Sequence, residues 1–385
     1  MNTVCDIDMC AGCMLCSDCC PHNAITIKKS FQAYNAVIDE SKCIDCNLCH
    51  KLCQANHCPD FKAPIYWAQG WANDEKIRNN ASSGGFATAL ELAFIKMGGI
   101  VFSCTYRNGD FIFECAETVE DVSKFSGSKY VKSNPSGVYK TIKHYLMIGR
   151  KVLFVGLPCQ VAAVLNFCGS TDNLYTVDLI CHGTPSPELL FIYLGENNIE
   201  KSSIQRVSFR DKTKFRLEQN YKSLTNPRIS DCYTATFLNG TTYTENCYVC
   251  RYARSERISD ITLGDSWGSD LDEEQQVKGI SLVLAQTVKG KNLIKASNLV
   301  LKDVSLEKSI RYNHQLEYPS SKNLARSVFF TEIDNSESFC KAYRKAFPKQ
   351  YRKDVVKRLL LKLHLFFGGG GVKNRIWYRL VVEIK

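Results

Sequence analysis

The sequence predicts an α/β protein, α+β when the whole length is counted: a small cysteine-rich domain, a larger domain with a buried sheet, and a basic tail. Three observations carry this prediction. Eleven of the 20 cysteines in the 385 residues lie before residue 60. Beyond Pro64, short β-branched runs alternate with helix-length stretches, the pattern of strands covered on both faces. From Lys341 onward, 13 Lys and Arg stand against two acidic residues, while residues 1–340 hold 36 basic against 37 acidic groups. The expected boundaries are 1–62, 65–340 and 341–385.

The neutral body argues against nucleic acid as a partner, since a binding groove needs Lys and Arg spread along it. A disulfide scaffold would be shorter and would lack a core of this size, so the thiols are expected to stay reduced in a cytoplasmic setting and bind metal. The first thirty residues are polar and do not read as a secretory signal. No apolar run approaches the roughly 18 residues of a membrane-spanning helix.

Taking the elements in order, Cys10-Ala-Gly-Cys13-Met-Leu-Cys16 is followed by Cys20-Pro21, and Cys43-Ile-Asp-Cys46-Asn-Leu-Cys49 by Cys53. Both runs follow C-x2-C-x2-C-x3-C, the bacterial ferredoxin spacing. Three close thiolates there hold three corners of one 4Fe–4S cubane, and the fourth cysteine serves the other cluster. Cluster one would use Cys10, Cys13, Cys16 and Cys53; cluster two would use Cys43, Cys46, Cys49 and Cys20. Ala24–Ile27 and Ala36–Ile38 read as short strands covering them. Two zinc sites built from CxxC pairs are the alternative, but zinc does not need a third cysteine at the same spacing twice. Cys53 precedes Gln54 where a proline is usual, so Cys58, followed by Pro59, is a rival fourth ligand. Cys5 and Cys19 have no slot in the pattern.

In the body, strands are expected at Gly99–Ser103, Lys151–Gly156, Thr176–Ile180, Ile261–Leu263 and Ile280–Ala285. A helix is expected over Ala87–Met97, ending at Gly98-Gly99. Its entry, Ser82-Ser83-Gly84-Gly85, is either a plain capped start or a phosphate cradle of free amides and small side chains. Two strands run into cysteines, Cys159 and Cys181, and ligands of open α/β sheets bind beyond the carboxyl ends of strands. Cys247-Tyr-Val-Cys250 adds a CxxC pair. These four thiols could hold a third cluster, or be two buried small residues and an isolated pair. Gly264-Asp265-Ser266-Trp267-Gly268 could set a carboxylate and an indole over a planar ligand, or form a tight turn.

Together these phrases resemble the beta subunit of coenzyme F420 hydrogenases and dehydrogenases, in the bacterial form with a dicluster ferredoxin at the amino terminus. The resemblance runs in order from about residue 65 to 340. It rests on Ser82-Ser83-Gly84-Gly85, Ser128-Lys129-Tyr130-Val131, Val155-Gly-Leu-Pro-Cys159-Gln160, Asp178-Leu-Ile-Cys181-His-Gly183, Phe209-Arg210-Asp211-Lys212, Cys247 with Cys250, and Ile261-Thr-Leu-Gly-Asp265. It implies a third 4Fe–4S cluster on Cys159, Cys181, Cys247 and Cys250, beside an FAD touching Ser83, Gly84, Gly85, Lys129 and Tyr130. Arg210 would suit a planar anion or form a salt bridge. After Lys212 this chain runs Thr213-Lys214-Phe215, where the family continues toward Gly-Trp, so the resemblance sets neither the substrate nor the use of the deazaflavin coenzyme.

The function that follows is an iron–sulfur flavoprotein oxidoreductase. It would take electrons from a one-electron donor protein through clusters to a flavin, and on to a small organic substrate or coenzyme. The alternative is an electron-transfer subunit that serves a partner enzyme and has no substrate of its own. No Ser, His and Asp spacing suggests hydrolysis, and no catalytic residue is named. In the tail, Gln350–Phe367 places apolar residues at helical spacing among Lys357, Arg358 and Lys362, before Gly368–Gly371 and a basic end with Trp377 and Tyr378. Such a helix can lie on an anionic membrane surface, dock on a partner or pack on its own body.

Overall fold

The computed structural model describes residues 2–226 and 229–363. At the amino end, β1 (Ile25–Lys29) and β2 (Tyr34–Ile38) pair antiparallel, with Ile25 opposite Ile38. Alternation along β2 turns Tyr34, Ala36 and Ile38 toward the cysteines. Two five-residue helices, Leu15–Cys19 and Leu48–Leu52, each start after a residue in the left-handed region, Met14 at φ 62° and Asn47 at φ 58°. Both starts fall between the second and third cysteines of a motif. The repeat in the sequence is therefore a repeat in the backbone.

The body strands are β3 (Tyr66–Ala72), β4 (Ile100–Arg107), β5 (Asp110–Ala116), β6 (Val152–Gly156), β7 (Leu174–Leu179), β8 (Val207–Asp211), β9 (Lys214–Gln219), β10 (Lys222–Ser223), β11 (Ile261–Asp265), β12 (Ser281–Ala285) and β13 (Leu299–Lys302). Eight of them form one mixed sheet in the order β13-β3-β12-β11-β7-β6-β4-β5, and β10-β9-β8 form a small antiparallel one. All five strand expectations fall on strands of the large sheet, at β4, β6, β7, β11 and β12. The middle strands β4, β6, β7 and β11 run parallel. Their carboxyl ends therefore open on the same edge. β6 is buried along its whole length. Val152 and Phe154 pack on one face with Phe102 and Ile142, and Leu153 and Val155 pack on the other with Phe94 and Val283. Each such side chain contributes about 1.5–3 kcal/mol of burial.

The expected helix is Phe86–Lys96, entered through Gly85 in the left-handed region. The cysteine-rich lobe lies against the body, where Cys13, Leu15 and Cys19 share a core with Ile100, Tyr139 and Val161. The Tyr139 hydroxyl donates to the Cys13 carbonyl, and the Asn166 amide to the Leu52 and His57 carbonyls at 3.1 and 2.8 Å. At the other end, the helix Phe339–Ala346 crosses residue 341 and buries Phe339, Ala342 and Tyr343 against Phe209, Tyr233 and Phe329. The basic segment thus begins inside the body core, and the helix Pro348–Lys362, opened by proline at its first turn, continues from it with Tyr351 packed on the same core. Asp354 tethers that helix: it is 3% exposed and accepts from the Gln350 amide at 3.0 Å. Leu359 and Leu363 face solvent. Gly368–Gly371, Trp377 and Tyr378 lie outside the described residues. No described helix is long and apolar enough to cross a membrane.

Candidate functional site

The ferredoxin-spaced cysteines sort into two sets. Cys20, Cys43, Cys46 and Cys49 line one cavity of about 80 Å³ with Pro21, Ile25 and Ile38. Cys46 is exposed at its rim. Cys10, Cys13 and Cys16 are each 7% exposed, and Cys53 lies within electrostatic reach of all three. The fourth cysteine of each run therefore crosses to the other set: Cys20 and Cys53 each follow the last residue of one short helix, and the two helices pack on each other. Burial is the main reason the Cys13 thiol rises far above its usual range, with Cys16 and Cys10 adding to it. Backbone amides already point at sulfur: Gly12 N–H to Cys10 Sγ at 3.4 Å and Ala24 N–H to Cys20 Sγ at 3.3 Å. Cys58 stands elsewhere, half-buried with Tyr252 and Arg251 beside it. Cys5 lies against both Cys10 and Cys53, a position the spacing did not suggest.

Cys159, Cys181, Cys247 and Cys250 line a second cavity, of about 350 Å³. The fold converges them from three directions. Cys159 sits in the first turn of the helix Pro158–Cys168, directly after β6, and Cys181 follows β7. Cys247 and Cys250 lie on the turn around Glu245–Val249. Cys247 Sγ has the Thr244 and Thr184 hydroxyls at 3.6 and 3.9 Å. Arg257 locks this turn to the sheet. It is 2% exposed and pairs with fully buried Asp178 at 3.1 Å, while its other nitrogens donate to the Leu179 and Tyr252 carbonyls at 3.1 and 2.5 Å. Burial pushes Cys159 up to about 12, and the nearby Lys132 ammonium pulls against that rise.

Lys132 lines the same cavity from the side of the cysteine-rich lobe, with Ala11, Gln54 and Asn56. It is 5% exposed, donates to the Ala11 carbonyl at 3.0 Å and stands 5.3 Å above the Tyr34 ring. Among the described residues no three His, Cys, Asp or Glu side chains converge on a single metal ion. The thiols instead stand around voids. Soft sulfur donors in fours, with backbone amides aimed at sulfur, hydroxyls beside it and a buried cation alongside, fit an anionic iron–sulfur cubane.

A third cavity, of about 410 Å³, opens beyond the carboxyl ends of β6, β7 and β11. Ser83, Gly85, Lys129 and Tyr130 line it. Gly84 is not among the lining residues: a Cβ there would meet the Gly70 carbonyl oxygen at 2.4 Å, so this glycine serves close backbone packing, and its N–H goes to Ser281 Oγ at 3.0 Å. Ser82 Oγ accepts from the Ser128 N–H at 2.8 Å, joining the two phrases, and Lys212 Nζ holds the loop through the Ala81 and Ser83 carbonyls at 2.6 and 3.2 Å. Arg210 is spoken for. Both guanidinium arms go to Asp265 at 2.5 and 2.7 Å, and the ring faces of Phe215 and Trp267 flank it, so the planar anion is the chain's own carboxylate. Tyr130 stacks on Phe237 with centroids 4.4 Å apart and planes 10° apart. The result is a cavity with an aromatic wall at Tyr130 and Phe237 and a serine- and glycine-containing loop, residues 81–85, among its lining.

Three further groups were not legible in the sequence. Glu91, 2% exposed in the cavity wall, is pushed up to about 8 by burial, with Lys129 pulling it back. Cys104 faces the same space. His182, brought down to about 4 by burial, takes the Gln315 amide on Nδ1 at 2.8 Å. Leu157, Cys181, His182, Gly183 and Thr184 line this cavity and the thiol cavity alike, so one layer of residues separates the two.

Family models match three segments of the chain: a 4Fe-4S dicluster domain over residues 9–57, and the coenzyme F420 hydrogenase/dehydrogenase beta subunit, its N-terminal part over 67–140 and its C terminus over 149–306. Among solved structures, a chain of the F420-reducing NiFe hydrogenase complex from Methanosarcina barkeri is 20% identical with a TM-score of 0.46, the match covering 72% of this chain and 97% of that one. No curated protein sequence matches.

Proposed function

Because the chain belongs to the coenzyme F420 hydrogenase/dehydrogenase beta-subunit family and carries a 4Fe–4S dicluster domain, we propose that it is an iron–sulfur flavoprotein oxidoreductase. In this reading it passes electrons from a one-electron partner protein to a small organic substrate or coenzyme. The observation that supports it most is the single file of sites. The Cys20/Cys43/Cys46/Cys49 cavity reaches the surface at Cys46, and Cys10, Cys13 and Cys16, with Cys53 near them, are buried in the same lobe. Ala11 and Gln54 of that lobe then form a wall of the Cys159/Cys181/Cys247/Cys250 cavity, which shares Cys181 with the aromatic one.

Bound cubanes exchange single electrons and a bound flavin exchanges two, so together they couple the two kinds of donor. The chain's residues do the rest. The two ferredoxin-type quartets and the body quartet would each hold a cluster. The Cys247 hydroxyl contacts and the amides on Cys10 and Cys20 would set potentials by hydrogen bonding to sulfur. Ser83, Gly85, Lys129 and Tyr130 would hold an FAD, with Tyr130 and Phe237 excluding water from one end. Arg210 and Asp265 fix each other and keep Trp267 in the wall. Glu91, held neutral near pH 7 by burial, can give up or take a proton inside the cavity.

Anaerobic purification followed by iron, sulfide and flavin quantification tests this, alongside an electron paramagnetic resonance spectrum of the reduced protein. About twelve irons and one flavin per chain are expected from three cubanes. Fewer than about eight irons, or no flavin, overturns the reading. Exposed Cys46, Ile44 and Leu48 at the outer cavity give a face open to a partner, which a subunit without its own substrate would use equally. Flavin-linked turnover by the isolated chain separates the two.

A further inference from the structure

We propose that Lys132 is a positioning residue for electrons. Its buried ammonium, set between the Cys10/Cys13/Cys16/Cys53 quartet and the Cys159/Cys181/Cys247/Cys250 quartet, would raise the reduction potential of the cluster in each and leave the outer cluster unchanged. The inference rests on the iron–sulfur reading above.

The ammonium has no acid to answer it. Lys132 is 5% exposed, and its contacts are the neutral Ala11 carbonyl and the Tyr34 ring. No carboxylate lies within ion-pairing distance among the described residues. A buried charge without a counter-charge is costly, so its partner is expected to be an anion that occupies the cavity it lines. A cubane with four thiolates is a net anion in either redox state, and Lys132 lies within electrostatic reach of both Cys10 and Cys159.

The surroundings are shaped for this side chain. Gly12 lies between Cys10 and Cys13 at φ +69°, and a Cβ there would fall 2.8 Å from the Tyr34 ring and 3.0 Å from Lys132 Cδ. Only a residue without a side chain leaves room for the lysine stem to pass into the lobe. The Lys132 N–H donates to the Pro185 carbonyl at 2.9 Å, which ties its backbone to the segment just after Cys181. The lysine is therefore anchored to both sides of the step between the quartets.

Adding an electron makes a cluster more negative, and a fixed nearby cation stabilises that state, so both potentials rise. The effect weakens with distance and with solvent. The Cys20/Cys43/Cys46/Cys49 cavity, which Lys132 does not line and which opens to water through Cys46, would be spared.

The test is a paramagnetic-resonance-monitored redox titration of the full, anaerobically prepared chain. It compares wild type with Lys132→Met, Lys132→Gln and Lys132→Arg, after equal iron and sulfide contents have been checked. In K132M and K132Q, the two inner clusters should be at least tenfold less reduced at a fixed poise, a fall of about 59 mV for one electron. The outer cluster, identified by its loss in Cys46→Ser, should not move, and K132R should restore wild-type potentials. Unchanged inner potentials, or equal shifts in all three clusters, overturn the proposal. So does failure of both K132M and K132Q to load inner iron, which would make the ammonium a tether for the fold. Absence of any cluster signal in wild type would instead overturn the iron–sulfur reading itself.

Discussion

The Tyr252 hydroxyl donates to Gln54 Oε1 at 2.7 Å, so the turn after Cys250 is hydrogen-bonded to the residue after Cys53. Both residues are at most 5% exposed. Tyr252→Phe leaves the Gln54 oxygen buried without its donor, a cost of about 1–3 kcal/mol. The thermal midpoint should fall, measured on protein with matched iron content. An unchanged midpoint would mean that the lobes hold together without this bond.

The thiols should partition by quartet. Cys53→Ser should lower bound iron by about four atoms per chain and abolish one paramagnetic signal, and Cys20→Ser should abolish a different one. Cys58→Ser should retain all the iron, since Cys58 lies against Tyr252 and Arg251. Iron lost from C58S and kept in C53S would reverse the assignment.

Arg257 and Asp178 form an ion pair with side chains 2% and 0% exposed. Arg257→Leu strands a buried carboxylate, costing about 3–5 kcal/mol. Because the same guanidinium holds the Tyr252 and Leu179 carbonyls, iron should be lost from the body quartet first. Adding Asp178→Leu should recover part of the stability, read by denaturant midpoint. No recovery would show that the carbonyl contacts outweigh the pair.

Glu91 gives a pH dependence of known sign. Its carboxyl is raised from 4.5 to about 8 by burial, so between those values the folded chain binds a proton that the unfolded chain releases. The stability it contributes is complete below about 4.5 and is lost as pH rises through about 8. Thermal midpoints of wild type should fall more steeply over that window than those of Glu91→Gln. Parallel curves would show that the carboxyl is charged in the fold.

The helix Pro348–Lys362 turns Leu359 and Leu363 outward beside Lys357, Arg358 and Lys362. Flotation with anionic vesicles should carry the full chain and leave behind a chain ending at Phe347. The cut is placed there because residues 339–346 belong to the body core. Equal partitioning would remove membrane contact as a role for the tail.

Where chemistry demands regular spacing, the sequence was readable. Ala24–Ile27 and Ala36–Ile38 fall on β1 and β2 between the two C-x2-C-x2-C-x3-C runs, and the β-branched runs mark β4, β6, β7, β11 and β12. β3 was not seen, because Tyr-Trp-Ala-Gln-Gly-Trp-Ala lacks both alternation and a β-branched run, and its place depends on Gly70 passing within contact of Val300. The Ser82–Gly85 entry left a capped start and a phosphate cradle open, and the sequence did not show that Gly84 makes room for the neighbouring strands at Gly70 and Ser281. Lys132 looked like any lysine in a polar phrase. Its meaning arises only when Ala11 and Cys159, far apart in the chain, are folded to either side of it.

The shared cavity wall has a consequence for how this chain can be cut or rebuilt. Ala11, Gln54 and Asn56 close one side of the space around Cys159 and Cys181. Excising the first sixty residues would therefore do more than remove two relay stations. It would flood an inner chamber, strip the Lys132 ammonium of the Ala11 carbonyl, and leave the remaining thiols open to oxidation. The small front module serves its neighbour as a stopper as well as a conductor.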